Sequence, residues 1–245
     1  GVQVAHFVRA LALIGVHVTL AYVPSAAGHP FAPIGQSVPD NVSLLPLSRG
    51  LGWPLERAKI KSHRLFMWRL RRWMARARMS GSAPDVVFFR HVKAAAHFAK
   101  EFPKQAFIYE AHEVFAETAK PSQRARLQRL ENLVLRRARL VLANSQGVSR
   151  AHALTRPVCV MPNGVEYPDS IPDKPWADCR QQIIYAGSLF GWKGVDDLVD
   201  AMAHLDGYRV TIIGGSKDQI ERLRARQSST GGVLEFTGQL PQHEV

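Results

Sequence analysis

The sequence predicts an α/β protein made of two doubly wound parallel-sheet units, and three observations carry that expectation. Short β-rich runs alternate with helix-patterned stretches along most of the 245 residues, the order that winds a parallel sheet between helices. A turn-rich stretch from Met161 to Pro175 interrupts the alternation once, after which it restarts. The charge divides as well: residues 1–155 hold 23 Lys or Arg against 8 Asp or Glu, whereas residues 156–245 hold 9 against 12. A first domain is therefore expected over 1–160 and a second over 176–245, joined by a hinge at 161–175.

Each element has its own signal. From Val2 to Leu13 the apolar residues Val4, Ala5, Val8, Leu11 and Ala12 recur at helical spacing, and Gly15 supplies a stop. The β-rich run Val16 to Tyr22 follows, then the runs 42–47, 86–89, 106–109 and 140–143, with a helix over Ser122 to Arg139 before the last. Beyond the hinge, Gln182 to Ala186, Tyr208 to Ile213 and Val233 to Phe236 read as strands. Helices are expected between them over Val195 to His204 and Lys217 to Gln227. Both ends read as cut. The chain opens on a helix with no strand before it, and its second unit stops after three strands, so that unit is expected to be incomplete.

Composition narrows the class. Apolar residues make up 46% and charged residues 21%, values of an ordinary soluble globular protein. No run approaches the roughly 20 uncharged apolar residues that a membrane span requires. Gly1 to Leu13 contains one Arg and no small-residue cleavage site, so no secretory signal is read there. Cys159 and Cys179 form neither a disulfide framework nor a metal-ligand spacing, which fits a reducing, cytoplasmic location. The net charge of +12 points to an anionic partner: nucleic acid, lipid headgroups or a phosphorylated substrate.

The densest chemistry lies in Tyr185-Ala186-Gly187-Ser188-Leu189-Phe190-Gly191-Trp192-Lys193-Gly194. A strand runs into a Gly-containing loop, a Lys follows, and a helix begins. Small residues admit a phosphate to the backbone, a helix start offers unpaired amides, and Lys193 adds a full charge. The spacing is not that of a Walker loop. In the first unit, Ile108-Tyr109-Glu110-Ala111-His112-Glu113 ends a strand, where open α/β sheets carry functional groups. His112 can donate a hydrogen bond or, when neutral, accept a proton, and Glu110 and Glu113 can orient a hydroxyl. The plainer alternative is a structural histidine between solvated acids.

Several segments, in order, resemble family 4 (group 1) of the GT-B glycosyltransferases. Gly187-Ser188-Leu189 with Trp192-Lys193-Gly194 resembles its donor-phosphate loop, and Asn163-Gly164-Val165 its hinge into the donor domain. Leu142-Ala143-Asn144-Ser145 and Ile212-Ile213-Gly214-Gly215 resemble two of its strand ends. Val233 to Leu240, with Gly238 and Gln239, resembles the segment that cups the donor base, and Gly1-Val2-Gln3 the tail of its Gly-Gly loop. The resemblance implies a GT-B architecture, two Rossmann-like domains facing a cleft. It implies transfer of a sugar, with retention, from a nucleotide-diphosphate sugar to a glycan, lipid-linked or small-molecule acceptor, with no metal or other cofactor. His112 and Lys193 would be catalytic, and Glu110 and Glu113 would lie on the acceptor side. Gly1, Gly187, Ser188, Lys193, Gly214, Gly238 and Gln239 would bind the donor. Two departures follow from the same comparison. Many members carry Arg where Ser188 stands, and the family's two-glutamate motif falls beyond Val245, so this stretch by itself is expected to lack part of the catalytic set.

Between Pro54 and Met79, Phe66, Leu70, Trp73, Met74 and Ala77 share one helical arc. Arg64, Arg69, Arg71, Arg72, Arg76 and Arg78 cover the other, with Leu65 and Trp68 among them. The pattern suits either a helix packed on the sheet with a solvated basic face, or contact with an anionic membrane surface at the inner face of the membrane. Arg124, Arg126, Arg129, Arg136, Arg137 and Arg139 add to the same field. Two other readings stay open: a basic nucleic-acid-binding protein, which no RNP, zinc-finger or KH signature supports, and a GT-B sugar-nucleotide epimerase.

Overall fold

The computed structural model describes residues 2–24, 28–47, 62–152, 157–164, 175–227, 231–240 and 244. Two compact units are formed, one by Gly1–Val18, Ala26–Val42 and Pro168–Val245, the other by Thr19–Ser25 and Ser43–Tyr167. The sequence expectation of a single domain over 1–160 divides the N-terminal residues differently. Most of the hinge at 161–175, and Gly1 with it, lies outside the described residues.

Helix α1 (Val2–Leu13) buries Ala5, Val8 and Ala12, three of the residues whose spacing predicts it. It ends at Gly15, whose φ of 85° only glycine adopts readily. Asn41 Nδ2 donates to the carbonyls of Ala12 and Val16, both at 2.9 Å, which ties the helix end to the residues leading into the next strand. Strands β1 (Val18–Tyr22) and β2 (Val42–Pro46) pair as a two-stranded sheet.

In the larger unit a four-stranded sheet has the order β3 (Val87–Phe89), β4 (Phe107–Ala111), β5 (Leu140–Ala143), β6 (Cys159–Val160). All neighbours are parallel, with Phe89 level with Tyr109 and Tyr109 level with Val141. The connections carry α3 (Val92–Glu101), α4 (Phe115–Thr118), α5 (Pro121–Arg137) and α6 (Gln146–His152). Helix α2 (Ser62–Met79) precedes β3 and puts Met67, Leu70 and Met74 into one core with Phe98, Phe107, Tyr109 and Leu135. Phe98 organises that core, its ring lying 4.9 Å from Phe89 and 4.8 Å from Phe102. The apolar arc of α2 thus faces the protein interior. Trp68 stays on the outer side, 47% exposed, with the Arg72 guanidinium 4.8 Å above its ring. The part of the predicted helix before residue 62 lies outside the described residues.

The C-terminal residues form a second parallel sheet, β7 (Gln182–Ala186), β8 (Arg209–Ile213) and β9 (Val233–Gly238), in that order. A short helix α7 (Trp176–Cys179) precedes it, and α8 (Val195–Ala201) and α9 (Lys217–Arg224) connect its strands. Alternation decides the faces: Ile183 and Tyr185 of β7 pack with Val210, Ile212, Leu234 and Phe236 and with Val195, Val199 and Leu223 of the helices. Helix α9 opens with a capping box, Ser216 accepting from the Gln219 amide and Gln219 from the Ser216 amide.

Candidate functional site

Parallel strands end in phase, so the residues following them collect along one sheet edge. Three such ends bring Arg90, Glu110, His112 and Asn144 together in the larger unit. Glu110 is buried, and its Oε2 lies 3.2 Å from Arg90 Nε while its Oε1 lies 2.7 Å from His112 Nε2. Arg90 Nε donates to His112 Nε2 at 2.8 Å, and Arg90 Nη2 lies 2.5 Å from the same atom. The other ring nitrogen, Nδ1, is 3.4 Å from Asn144 Nδ2. Of the residues the sequence singles out here, Glu110 and His112 are in direct contact. Glu113 is exposed and accepts a hydrogen bond from Thr118 Oγ1 at 3.0 Å. Glu110 is therefore not one of a pair of solvated acids; it is a buried carboxylate with a cation beside it. Sequence reasoning missed Arg90. Its one available signal was its place immediately after a β-rich run.

Behind this edge sits a second buried carboxylate that the sequence reading also missed. Glu131 of α5 is fully buried and accepts from the backbone N–H of Phe115 at 2.6 Å and of Ala116 at 3.1 Å, capping α4. Burial pushes its carboxyl above the usual range, against the pull of those two amides. The neighbouring Tyr109 hydroxyl is pushed up as well, by burial first and then by the negative charge of Glu131 and Glu113. His152 is pushed down by burial, although its hydrogen bond to the Glu113 backbone and the charge of Glu117 oppose that.

The smaller unit assembles the predicted donor residues by the same in-phase logic. Gly187 N–H donates to the Ile213 carbonyl at 3.0 Å, and Gly214 N–H donates to the Gly238 carbonyl at 2.7 Å. These bonds place Gly187, Gly214 and Gly238 side by side at the carboxyl ends of β7, β8 and β9. Gly214 has φ of 122°, and a Cβ there would stand 2.1 Å from the Gly187 carbonyl oxygen. Gly215 is equally constrained, since a Cβ would meet Leu189 Cδ1 at 2.3 Å. The Gly187 backbone thus rests directly on Gly214, and the Leu189 side chain on Gly215. Ser188 is exposed, and its carbonyl accepts from the Tyr185 hydroxyl at 2.9 Å. Gln239 follows Gly238 and is exposed.

Lys193 closes a 3₁₀ turn, Gly191–Lys193, that leads through Gly194 (φ 74°) into α8. Its Nζ lies 4.5 Å above the ring of Trp192, which in turn stacks on Phe190 with centroids 6.1 Å apart. The helix start is less cationic than the sequence implied, because Asp196 and Asp197 occupy its first turn. Arg222 and Arg226 pair with Asp196 and offset part of that charge; the hydrogen bond from Arg222 holds the Asp196 carboxyl below its usual value. Among the described residues no three His, Cys, Asp or Glu side chains come together as they would around a metal ion. Nor is any described helix long and apolar enough to cross a membrane.

Residues 1–167 match the family described as Glycosyltransferase Family 4. Among solved structures, the chain is similar to a sucrose-phosphate synthase from Thermosynechococcus elongatus, with 17% identity, a TM-score of 0.66, and coverage of 96% of this chain and 65% of that one. It is also similar to Arabidopsis thaliana UGT89C1 complexed with quercetin (14% identity, TM-score 0.60, 99% and 67% covered). Anabaena HepE in complex with UDP and glucose shares 16% identity at a TM-score of 0.57, with 91% and 69% covered. The chain spans 57% of the length of HepE as it stands in a complex with UDP. No curated protein sequence matches it.

Proposed function

Because the chain belongs to glycosyltransferase family 4, we propose that it takes part in moving a sugar from a nucleoside-diphosphate sugar to an acceptor hydroxyl, with retention at the transferred carbon. The carrying observation is the backbone cradle of Gly187, Gly214 and Gly238 at three parallel strand ends, with Lys193 in the turn that follows the first of them along the chain. Side-chain-free backbone admits a diphosphate closely, and a cation at that point stabilises the leaving group as its charge grows. In this reading the bond from the sugar to the diphosphate breaks as the acceptor oxygen attacks from the same face. The departing phosphate oxygen takes the acceptor's proton. His112 and Glu110 orient the acceptor, Glu113 lies at its rim, and Gln239 meets the base. No metal is invoked. Uridine diphosphate is the first donor fragment to try, since HepE is a structural neighbour named with UDP.

The test is a titration with a panel of nucleoside diphosphates, following thermal stability of the wild type beside Lys193→Ala. A ligand at 100 times its dissociation constant adds about 2.7 kcal/mol. Stabilisation of the wild type by one diphosphate, abolished in Lys193→Ala, is the expected outcome. A folded wild type that ignores every diphosphate sinks the donor-site reading of this stretch. Chromatography of reaction products separates transfer from the epimerase alternative.

A second reading concerns location. On the outer face of α2, Trp68 and Arg72 stand near Arg76 and Met79, the last 89% exposed. An aromatic and a thioether between arginines fit the interface of an anionic bilayer, where each basic side chain contributes about 1 kcal/mol. A cytoplasmic protein resting on the inner face of a membrane, with a lipid-linked acceptor, is what this face suggests. Sedimentation with phosphatidylglycerol vesicles tests it: the double change Arg72→Gln with Arg76→Gln is expected to weaken binding on the order of tenfold or more. Equal sedimentation of wild type and variant argues for a merely solvated face.

A further inference from the structure

The turn after β7 carries two aromatic rings and an ammonium group on a fixed backbone. Leu189, 1% exposed, and Val195, fully buried, anchor the turn at either end. Between them Lys193 N–H donates to the Phe190 carbonyl at 2.9 Å, and Gly194 N–H to the Gly191 carbonyl at 3.2 Å. Trp192 is nevertheless 77% exposed and Phe190 51%, so burial does not explain either ring. The two rings lie within 8° of parallel, and Lys193 Nζ stands 4.5 Å from the centre of the indole.

That ammonium has other partners within reach along the chain. Asp196 and Asp197 follow three and four positions on, in the first turn of α8, the spacing at which charges pair along a helix. At a surface, an acid and a ring face attract a cation about equally. Asp196 is taken by Arg222 and Arg226. Asp197 does not take Lys193 either: among the described residues the Lys193 side chain makes no hydrogen bond or ion pair. Its charge is thus uncompensated, on a flexible four-carbon stem that the ring face keeps from sweeping freely. A ring engages one side of an ammonium and leaves donors for a second partner. We propose that Trp192, braced by Phe190, is a positioning residue that holds the Lys193 ammonium ready, uncompensated, for an incoming diphosphate. The inference rests on reading Lys193 as the cation that meets the donor's leaving group. It adds that this cation is placed before the donor arrives, by a residue whose required property is an aromatic face.

An indole ring shields nuclei above its face, so the contact is read from spectra of the full chain labelled with ¹³C-lysine. The Lys193 ε-methylene signal, identified by its loss in Lys193→Ala, is expected to be displaced upfield and to return to the ordinary position in Trp192→Leu. A signal that is not displaced in the wild type, or stays displaced in Trp192→Leu, overturns the proposal. Affinity is then measured by calorimetry for uridine, thymidine, guanosine and adenosine diphosphates, following the one that binds the wild type most tightly. Trp192→Leu is expected to weaken it about two- to fivefold, and Trp192→Phe less, because a ring face remains. Unchanged affinity in a folded Trp192→Leu overturns the positioning role. At saturation with that diphosphate the Lys193 signal is expected to stay displaced; its return to the ordinary position would mean that the ligand takes the ring and frees the lysine, which overturns the role as well. A displaced signal in a wild type that binds none of the four diphosphates sinks the donor-site reading instead, so the two ideas fail on different results.

Discussion

Gly214→Ala is expected to destabilise the protein by about 3–5 kcal/mol and to abolish its response to a nucleoside diphosphate. Two penalties coincide at this position. At φ of 122° an L-residue is strained, which costs on the order of 1–3 kcal/mol. The new Cβ would also stand 2.1 Å from the Gly187 carbonyl oxygen, a backbone atom with nowhere to rotate. Relief requires the 187–189 loop to move off β8, which breaks the bond from Gly187 N–H to Ile213 or the one from Gly214 N–H to Gly238. Loss of either bond, at these half-exposed strand ends, costs about 0.5–1.5 kcal/mol more. Gly238→Ala is the control, since its φ is also positive, at 77°, but no atom lies within 4 Å of the added Cβ. It is expected to lose about 1–2 kcal/mol, from backbone strain alone. Urea unfolding followed by circular dichroism compares the two. Equal losses would mean that the approach of Gly214 to Gly187 contributes nothing.

Glu131→Ala is expected to cost about 3–5 kcal/mol, because two backbone donors at the start of α4, Phe115 and Ala116, lose their shared acceptor in a buried place. Glu131→Gln retains one oxygen and is expected to lose less. The two changes also separate by pH. Burial raises the folded-state pKa of Glu131 above its unfolded value, so the folded state holds the proton more tightly. That contribution to stability is fully present below the unfolded pKa and is lost as pH rises through the folded one. The wild type should therefore lose stability relative to Glu131→Gln from the ordinary glutamate range upward. Melting curves from acid to neutral pH check this, and a constant difference between the two proteins rules the titration out. A Glu131→Ala variant within about 1 kcal/mol of the wild type would mean that the cap is replaced by water.

Periodicity made the skeleton legible. Strand β7 and the limits of α1 agree with the expected bounds, and β8, β9, α5 and β5 do so within two residues, because alternation, helical spacing and glycine stops are local properties. The ten-residue α3 was not delimited, although its buried residues Val92, Ala95, Ala96 and Ala99 recur at helical spacing. The loop after β7 was legible for the same reason: a glycine following a strand is visible one segment at a time, and Gly187, Gly214 and Gly238 each stood out separately.

The sheet edge that carries His112 was only half legible. Glu110 and Glu113 lie three positions apart and look alike in the sequence. The end of β4 at Ala111 puts the first inside and leaves the second in solvent. Arg90 is 22 positions from His112, and only the register that sets Phe89 beside Tyr109 brings them together. Glu131, within an arginine-rich helix, had every appearance of a solvated acid until packing turned it toward α4. The sequence by itself determined the order of the elements, the glycines at the strand ends and the basic character of the first 155 residues, all of which follow from near-neighbour chemistry. The tertiary structure alone decided which carboxylates are buried, which cation faces His112 and which side of α2 meets water. Those depend on contacts between residues far apart in the chain, and burial changes the energy of a charge far more than its identity does.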